Sequence, residues 1–420
     1  MLKHLKLLIT TLLLLVTIAL SAQIPSQGSA DDLKLAAANL RPYFVHDGLV
    51  KTYPLKGYKP FYISHFGRHG SRYLSGPKYI QPALDCFDAA KAEGLLTERG
   101  AALHDAMKAI SQAHQGMYGE LAPLGAREHR AIAGRMYDRE KSVFSSRSRT
   151  RVRCVSSVYT RCLVSMANFT EELASRAPSL DITYLAGKRY NDEYLNVHSE
   201  YNFKPEAIKI IDSLKRESMD VEKILPLYFT DTERVRQLVP NLYEMGMSIY
   251  FYWGTSLDLD FLDLDLASLI PSDFIKTCGD IEDAYRFATV GVSEEFGEHV
   301  AVAGEKLLKD VVVKADEALQ SDSDLAADLR FAHDSGLLPM CQLLGIDGFP
   351  TYSIRESHKD WDMAAVVPMC ANLQMVFYKG KDDVLVRIML NEKPAVIPAM
   401  TPVHGIYYRW NDIRNHIMNL

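Results

Sequence analysis

Hydrophobic and polar positions change rhythm several times along this chain, and each change marks an element. Phe61-Tyr62-Ile63-Ser64 is a short β-prone run, and it stops at the glycine-punctuated stretch Gly67-Arg68-His69-Gly70-Ser71-Arg72. Residues 83–93, residues 97–113 opening at Thr97, and residues 121–140 read as helices. In the last of these, Leu124, His129, Ile132, Ala133 and Met136 fall near helical spacing with charges between them. Residues 150–157 return to period two, with Val152 and Cys154 on one face and Arg151 and Arg153 on the other. That strand runs into a helix over 158–173, for which Ser156 or Ser157 is the expected cap, and Arg161 falls in its first turn.

From about 175 to 325 the texture is helical runs separated by polar or proline-containing breaks. The sheet pattern resumes with Asp328-Leu329-Arg330-Phe331-Ala332-His333-Asp334, followed by a helix over 336–346 and a β-hairpin over 371–390. This order predicts an α/β fold: an open, mostly parallel sheet flanked by helices, with a mainly helical inserted domain. The expected boundaries are an α/β core over 23–174 and 326–420 and an insertion over 175–325.

The first 22 residues depart from this pattern. Lys3, His4 and Lys6 precede an apolar run from Leu7 to Leu20, then Ser21-Ala22-Gln23, the three-part layout of a secretory signal peptide. Cleavage after Ala22 and export to the periplasm or the extracellular space are the expectation; a retained N-terminal anchor is the rival. No later stretch is long and apolar enough to cross a bilayer, so no transmembrane segment is expected in the mature chain. The rest has ordinary globular proportions, 48% hydrophobic and 24% charged, which argues against disorder. Losing Lys3 and Lys6 would take the formal charge from -6 to -8. An acidic chain is a poor nucleic-acid binder, because that affinity rests on many cations neutralising phosphates. Any anion site must therefore be local. The six cysteines, Cys86, Cys154, Cys162, Cys278, Cys341 and Cys370, form no CxxC pair and no zinc spacing, so neither metal nor cofactor is expected; disulfides and small buried thiols both remain open.

The chemistry-bearing residues gather at strand ends. Arg68, His69 and Arg72 follow the first strand, Arg161 follows the second, and His333 and Asp334 follow a third. In open α/β sheets ligands bind at the carboxyl ends of strands. Phosphoryl transfer needs an in-line nucleophile, cations on the equatorial oxygens and a proton for the departing oxygen. His69 can attack as a neutral imidazole, Arg68, Arg72 and Arg161 can clamp the phosphoryl group, His333 can donate a further hydrogen bond, and a protonated Asp334 can serve as general acid. Arg161 has local rivals in Arg147, Arg149, Arg151 and Arg153. His65, His129, His299, His358 and His404 have no motif partners and read as structural, and His104 and His114 as exposed. The basic density from Arg127 to Arg161 reads as a solvated helix face with salt bridges, against the alternative of a rim for a polyanion.

With these residues in place, the chain resembles the histidine acid phosphatases, the two-motif branch of the histidine phosphatase superfamily. Arg-His-Gly-Ser-Arg at 68–72 matches the family's RHGxR, and His-Asp-Ser-Gly at 333–336 its His-Asp element. Residues 155–169 resemble the segment that carries a third active-site arginine, which selects Arg161, and residues 121–137 the family's TPxG-type helix start. The resemblance covers about 61–169 and 328–392. It implies a phosphohistidine at His69, a phosphate pocket of Arg68, Arg72, Arg161 and His333, a proton donor at Asp334 and no metal. Within the branch the chain is similar to multiple inositol polyphosphate phosphatases, which include exported bacterial phytases. Leu74 stands where many acid phosphatases place proline, and His-Asp-Ser replaces the His-Ala-Glu typical of the inositol polyphosphate group, a donor pattern closer to acid phosphatases and phytases. The expected activity is hydrolysis of small organic phosphates, inositol polyphosphates such as phytate first, with an acidic pH optimum. A broad acid or sugar phosphatase is the alternative; a non-catalytic phospho-ligand binder or a mutase-like transferase ranks below both.

Overall fold

A computed structural model describes residues 30–45, 55–196 and 205–420. The expected signal peptide lies outside the described residues, as does most of the segment before Leu33; from Leu33 onward the chain forms one compact unit. Its centre is an eight-stranded sheet. The strands are β1 (Lys59–Arg68), β2 (Arg151–Ser156), β3 (Asp181–Ala186), β4 (Leu325–Ala332), β5 (Asn372–Lys379), β6 (Val384–Leu390), β7 (Lys393–Pro394) and β8 (Tyr407–Arg409). Their order is β3-β2-β4-β1-β5-β6-β7, with β8 also pairing to β6. β3, β2, β4 and β1 run parallel to one another, and β5 to β8 add antiparallel pairs beyond β1.

β1 runs four residues past the apolar Phe61–Ser64 pattern because it is paired on both sides, with β4 up to Arg68 and with β5 up to Gly67. Ladder hydrogen bonds thus carry extended backbone through Gly67, where sequence punctuation alone suggested an end. β4 is buried over its whole length, as a central parallel strand covered on both faces should be. Period two places its polar residues Asp328 and Arg330 on one face. There Asp328 accepts from Arg153 at 2.6 Å and pairs with Arg330, and Arg330 Nε donates to Asp310 at 2.7 Å.

Helices cover both faces. Against one pack α3 (Pro123–Arg139) and α4 (Thr160–Arg176), whose Ile132, Met136, Phe169 and Leu173 meet Val152, Leu329 and Phe331 of the strands. Against the other pack α8 (Gly297–Leu319), α9 (Asp334–Leu343) and α10 (Trp410–Met418), through Leu307, Val311, Leu337 and Trp410 on Phe66, Met375 and Phe377. A third apolar cluster is built mainly from helices and draws on no strand of the sheet. It joins α1 (Gln81–Ala92) and α2 (Glu98–His114) to α5 (Pro205–Ser218), α6 (Leu242–Asp258) and α7 (Ser272–Val290). The helical layer therefore draws on residues 81–114 as well as on the helix-rich stretch after β3. Thr97 caps α2 by accepting from the Gly100 N–H at 3.0 Å. Two expectations need correction. His104 and His114 are buried: His104 lies 2.7 Å from Asp88, and His114 Nε2 accepts from the Leu74 N–H at 3.1 Å. Neither Ser156 nor Ser157 caps α4, which starts at Thr160 without a side-chain cap.

Among the described residues no helix is long and apolar enough to cross a membrane.

Candidate active site

Three neighbouring parallel strands end side by side, and each delivers part of one cluster. In the register Arg68 lies opposite Ala332, and Ser156 opposite Phe331, so the residues that follow β1, β4 and β2 emerge together. The His69 N–H donates to the Ala332 carbonyl at 2.9 Å and the Ser157 N–H to the Phe331 carbonyl at 2.9 Å, which locks the three strand ends. His69 and His333 then stand with ring centroids 5.5 Å apart.

The loop after β1 is held by close backbone approach. A Cβ on Gly70 would lie 2.7 Å from the Cα of Gly125, and one on Gly125 2.4 Å from the Ser71 carbonyl oxygen, so the loop and the start of α3 fit only as glycines. Glu128 of α3 fastens the same loop. Its carboxylate accepts from the Ser71 N–H at 2.9 Å, the Ser71 hydroxyl at 3.0 Å and the Tyr43 N–H at 2.7 Å. The Gly70 N–H donates to Ser165 of α4 at 3.2 Å.

His69 is oriented by its own turn. Nδ1 lies 3.0 Å from the Gly70 carbonyl, which can only accept, so in the neutral ring the proton sits on Nδ1 and Nε2 presents a lone pair. Burial and then Arg161, Arg68, Arg72 and His333 hold the ring well below the ordinary histidine range, because each penalises an imidazolium.

The arginines are crowded and only partly paired. Arg68 is buried, with Nη1 donating to the Val367 carbonyl and Nη2 to the Asn39 carbonyl, both at 2.7 Å; Nη2 also lies 3.3 Å from Asp334. Arg72 Nη1 donates to the Tyr73 carbonyl at 2.9 Å, and Arg161 Nη2 lies 3.4 Å from His333 Nδ1. The Nε–H groups of Arg68, Arg72 and Arg161 are buried with no acceptor among the described residues. Burial, then Arg161, Arg68 and Arg286, push Arg72 down to about 9. A compact anion between these guanidiniums would meet donors that are otherwise unsatisfied and relieve their mutual repulsion.

Asp334 begins α9. Burial raises its pKa, but Arg68, Arg286, His333 and Arg72 outweigh that and hold the carboxyl well below the usual carboxylate range. In the free protein Asp334 is therefore a carboxylate. The protonated form anticipated from its place in the motif requires an added negative charge beside it.

All six motif residues, Arg68, His69, Arg72, Arg161, His333 and Asp334, thus meet at one place. Three of the four rival arginines point elsewhere: Arg149 donates to the Leu325 carbonyl, Arg151 to Glu317 and Asp324, and Arg153 to Asp328. On α3, Arg127 pairs with Asp260, Arg130 with Glu171, and Arg135 and Arg139 with the buried Glu392. Most of the basic density is therefore taken up by ion pairs. Four further participants carry no motif. Arg286 of α7 is a half-buried cation near Arg68, Arg72 and Asp334, braced by Glu282 at 2.7 Å. Asp258, fully buried at the end of α6, faces Arg72. Ser157 reaches His333, and Asn191 reaches Ser157 behind it. Only Ser157 had a local signal, a serine pair at a strand end, and it pointed to a helix cap instead. Among the described residues no group of three or more His, Cys, Asp or Glu side chains is arranged to hold a metal ion.

No protein-family model matches the chain, and no curated protein sequence matches it. Solved structures do match in fold. A Bifidobacterium longum multiple inositol polyphosphate phosphatase, in complex with phosphate, aligns with TM-score 0.78 at 19% identity, covering 91% of this chain and 97% of that one. A phytase from D. castellii aligns with TM-score 0.71 at 13% identity, covering 95% and 88%. The Hafnia alvei phytase in complex with tartrate gives TM-score 0.56 at 10% identity, over 87% and 98%. The fold of this chain is that of these phosphatases.

Proposed function

We propose that this protein is an exported phosphomonoesterase that hydrolyses small organic phosphates, inositol polyphosphates first among them, through a phosphohistidine at His69. The observation that carries this reading is the convergence of an imidazole with a bare Nε2, three arginines with unsatisfied donors, and a His-Asp pair on three adjacent strand ends. The shared fold with inositol polyphosphate phosphatases and phytases supports it, and the leader-like first 22 residues support export.

In this mechanism the three arginines and His333 hold the phosphoryl oxygens, and His69 Nε2 attacks phosphorus in line. The P–O bond to the alcohol breaks as the P–N bond forms, and Asp334 gives its proton to the departing alkoxide. Asp334 is ionised in the free protein, so its proton arrives with the substrate. Either the phosphate monoanion brings it, or the bound dianion raises the Asp334 pKa until it takes one up. The resulting carboxylate then draws a proton from water, which attacks the phosphohistidine and releases phosphate. Every group this needs is in the chain, and no metal is called for.

The test is phosphate release from phytate, glucose phosphates and an aryl phosphate between pH 4 and 8, with and without excess EDTA. The expected result is a bell-shaped profile peaking between roughly pH 4 and 6.5, insensitive to EDTA, with phytate among the best substrates. Sugar phosphates turned over faster than phytate would favour the broad acid phosphatase. An alkaline optimum, or activity lost on chelation and restored by zinc or magnesium, would overturn the phosphohistidine mechanism.

A further inference from the structure

His333 is the one pocket residue whose proton position decides what it can do for an anion, and that position is set from behind the pocket. Ser157 Oγ lies 3.0 Å from His333 Nε2 and 2.9 Å from Asn191 Oδ1. An amide oxygen only accepts, so the Ser157 proton points to Asn191 and its oxygen is left to accept from His333 Nε2–H. The other side of the ring agrees: Arg161 Nη2, which only donates, lies 3.4 Å from Nδ1. The opposite polarity would set an Nδ1–H against a guanidinium N–H. Cys162 does not change this, since its thiol donates to the Ala332 carbonyl at 3.3 Å. Ser157 and Asn191 are buried, and Asn191 opens a π-type turn, Asn191–Leu195, closed by the Asn196 N–H on the Asn191 carbonyl at 2.8 Å. Such wide turns recur at functional sites because they re-aim one side chain within a helical segment.

We propose that Ser157 and Asn191 are positioning residues that hold His333 with its proton on Nε2 and its Nδ1 turned toward the phosphate pocket beside Arg161. The consequence for substrate rests on the phosphatase reading above; the relay itself does not. With Nε2–H committed to Ser157, His333 can donate to a phosphate oxygen only by gaining a second proton on Nδ1. The phosphate monoanion can supply it, leaving a bound dianion and an imidazolium, or solvent can. Anion binding is thus tied to uptake of one proton at His333. The groups facing this ring are Arg161, Cys162 and Tyr159 at the start of α4, His69 across the pocket and Asp334 on its own helix. Arg161 opposes an imidazolium here and the Asp334 carboxylate favours one, so an anion that offsets Arg161 tips the balance toward uptake.

The experiment is nitrogen-15 NMR of the histidine rings in the full chain near pH 8, with the His333 signals identified by their loss in His333→Gln. Inorganic phosphate titrations at pH 5 and 7.5 accompany it. The expected result is a wild-type ring protonated on Nε2, changed to a mixture or to Nδ1–H in Ser157→Ala and in Asn191→Leu, where the serine proton is freed to turn toward the ring. Asn191→Asp keeps an acceptor and should keep the wild-type tautomer, which guards against a general folding defect. At pH 5, where the bound ring is the imidazolium, Ser157→Ala loses the acceptor of its Nε2–H and should bind phosphate about tenfold more weakly, the loss of roughly one hydrogen bond to a charged group; at pH 7.5, where its neutral ring can already present Nδ1–H, the loss should be smaller. A wild-type ring protonated on Nδ1, or one tautomer throughout the series, would overturn the relay. A protein that hydrolyses no phosphate ester would overturn the phosphatase reading and leave the NMR result to decide the relay alone.

Discussion

Two pairs of buried histidines flank β1, one built on His65 within the strand and one on His69 just past its end, and they are built for different ends. His65, four residues before His69 on β1, packs with His129 of α3 against Phe169 and Phe331. Among the described residues no nitrogen of either ring has a hydrogen-bond partner. Burial lowers both to about 3, with His129 and then Arg330 and Arg139 adding to the effect at His65. His69 and His333 are also buried, and burial is again the largest influence on His69, but His69 Nδ1 faces the Gly70 carbonyl and the two nitrogens of His333 face Ser157 and Arg161. A depressed histidine pKa therefore does not mark a site in this molecule. What separates the pairs is whether the neutral ring is aimed: one is oriented by a carbonyl and by a serine relay, the other is only wrapped.

The sharpest break of that comparison is at the two ends of β1. His69→Ala should lower turnover by about four to six orders of magnitude, the scale of removing a nucleophile, while His65→Leu should leave turnover of the folded enzyme within a few-fold of wild type. Rapid quench with labelled substrate should give an acid-labile, base-stable phosphoenzyme in the wild type and in His65→Leu, and none in His69→Ala. Comparable losses in the two variants would mean that the aimed and the wrapped rings do not differ as described.

A smaller effect is expected one residue beyond His333. Asp334→Asn should slow alkyl phosphates such as phytate by about two to four orders of magnitude, the range of general acid catalysis, and slow an activated aryl phosphate far less, because a good leaving group needs no proton. Equal losses on both substrates would remove Asp334 from the role of donor and leave it as a brace for Arg68, to which it lies 3.3 Å away.

How much of this was legible in the sequence follows from where each interaction begins. Arg68, His69, Arg72, His333 and Asp334 could be found because strand–loop–helix units keep their chemistry adjacent in the chain. Arg161 could be separated from its neighbours only through the family resemblance, and the pairing of Arg151 and Arg153 with carboxylates shows why their density on one strand meant little. Arg286, Asp258 and Asn191 carry no local mark, since each enters from a helical segment far along the chain and acts through one side chain. His104 and His114 looked exposed because their helix is polar on average, yet α2 is covered by the helical layer, so tertiary contact overrode local pattern. The end of β1 was misplaced for a related reason: hydrogen bonds from strands about 265 and 305 residues later extended it.

The smallest predicted effect concerns stability in acid and uses the wrapped pair. An unfolded histidine titrates near about 6.5, whereas His65 and His129 are lowered to about 3 in the folded protein. Between those values the unfolded chain binds protons that the folded one does not, so stability falls as pH drops below about 6.5, by up to ~1.4 kcal/mol per pH unit for each ring. Above 6.5 neither ring contributes to the pH dependence. Down to pH 4.5 the loss is about 2.7 kcal/mol per histidine, a large part of the 5–15 kcal/mol typical of a folded domain. His129→Leu keeps the apolar contacts and removes one titrating group. Urea unfolding at pH 7.5 and 4.5 should show the gap between the two pH values shrinking by about 2–3 kcal/mol in this variant, with little change in the acidic limb of the activity profile, which belongs to the aimed pair. An undiminished gap would place the acid sensitivity elsewhere; a shifted activity profile would show that the two pairs are coupled through β1, which links His65 to His69.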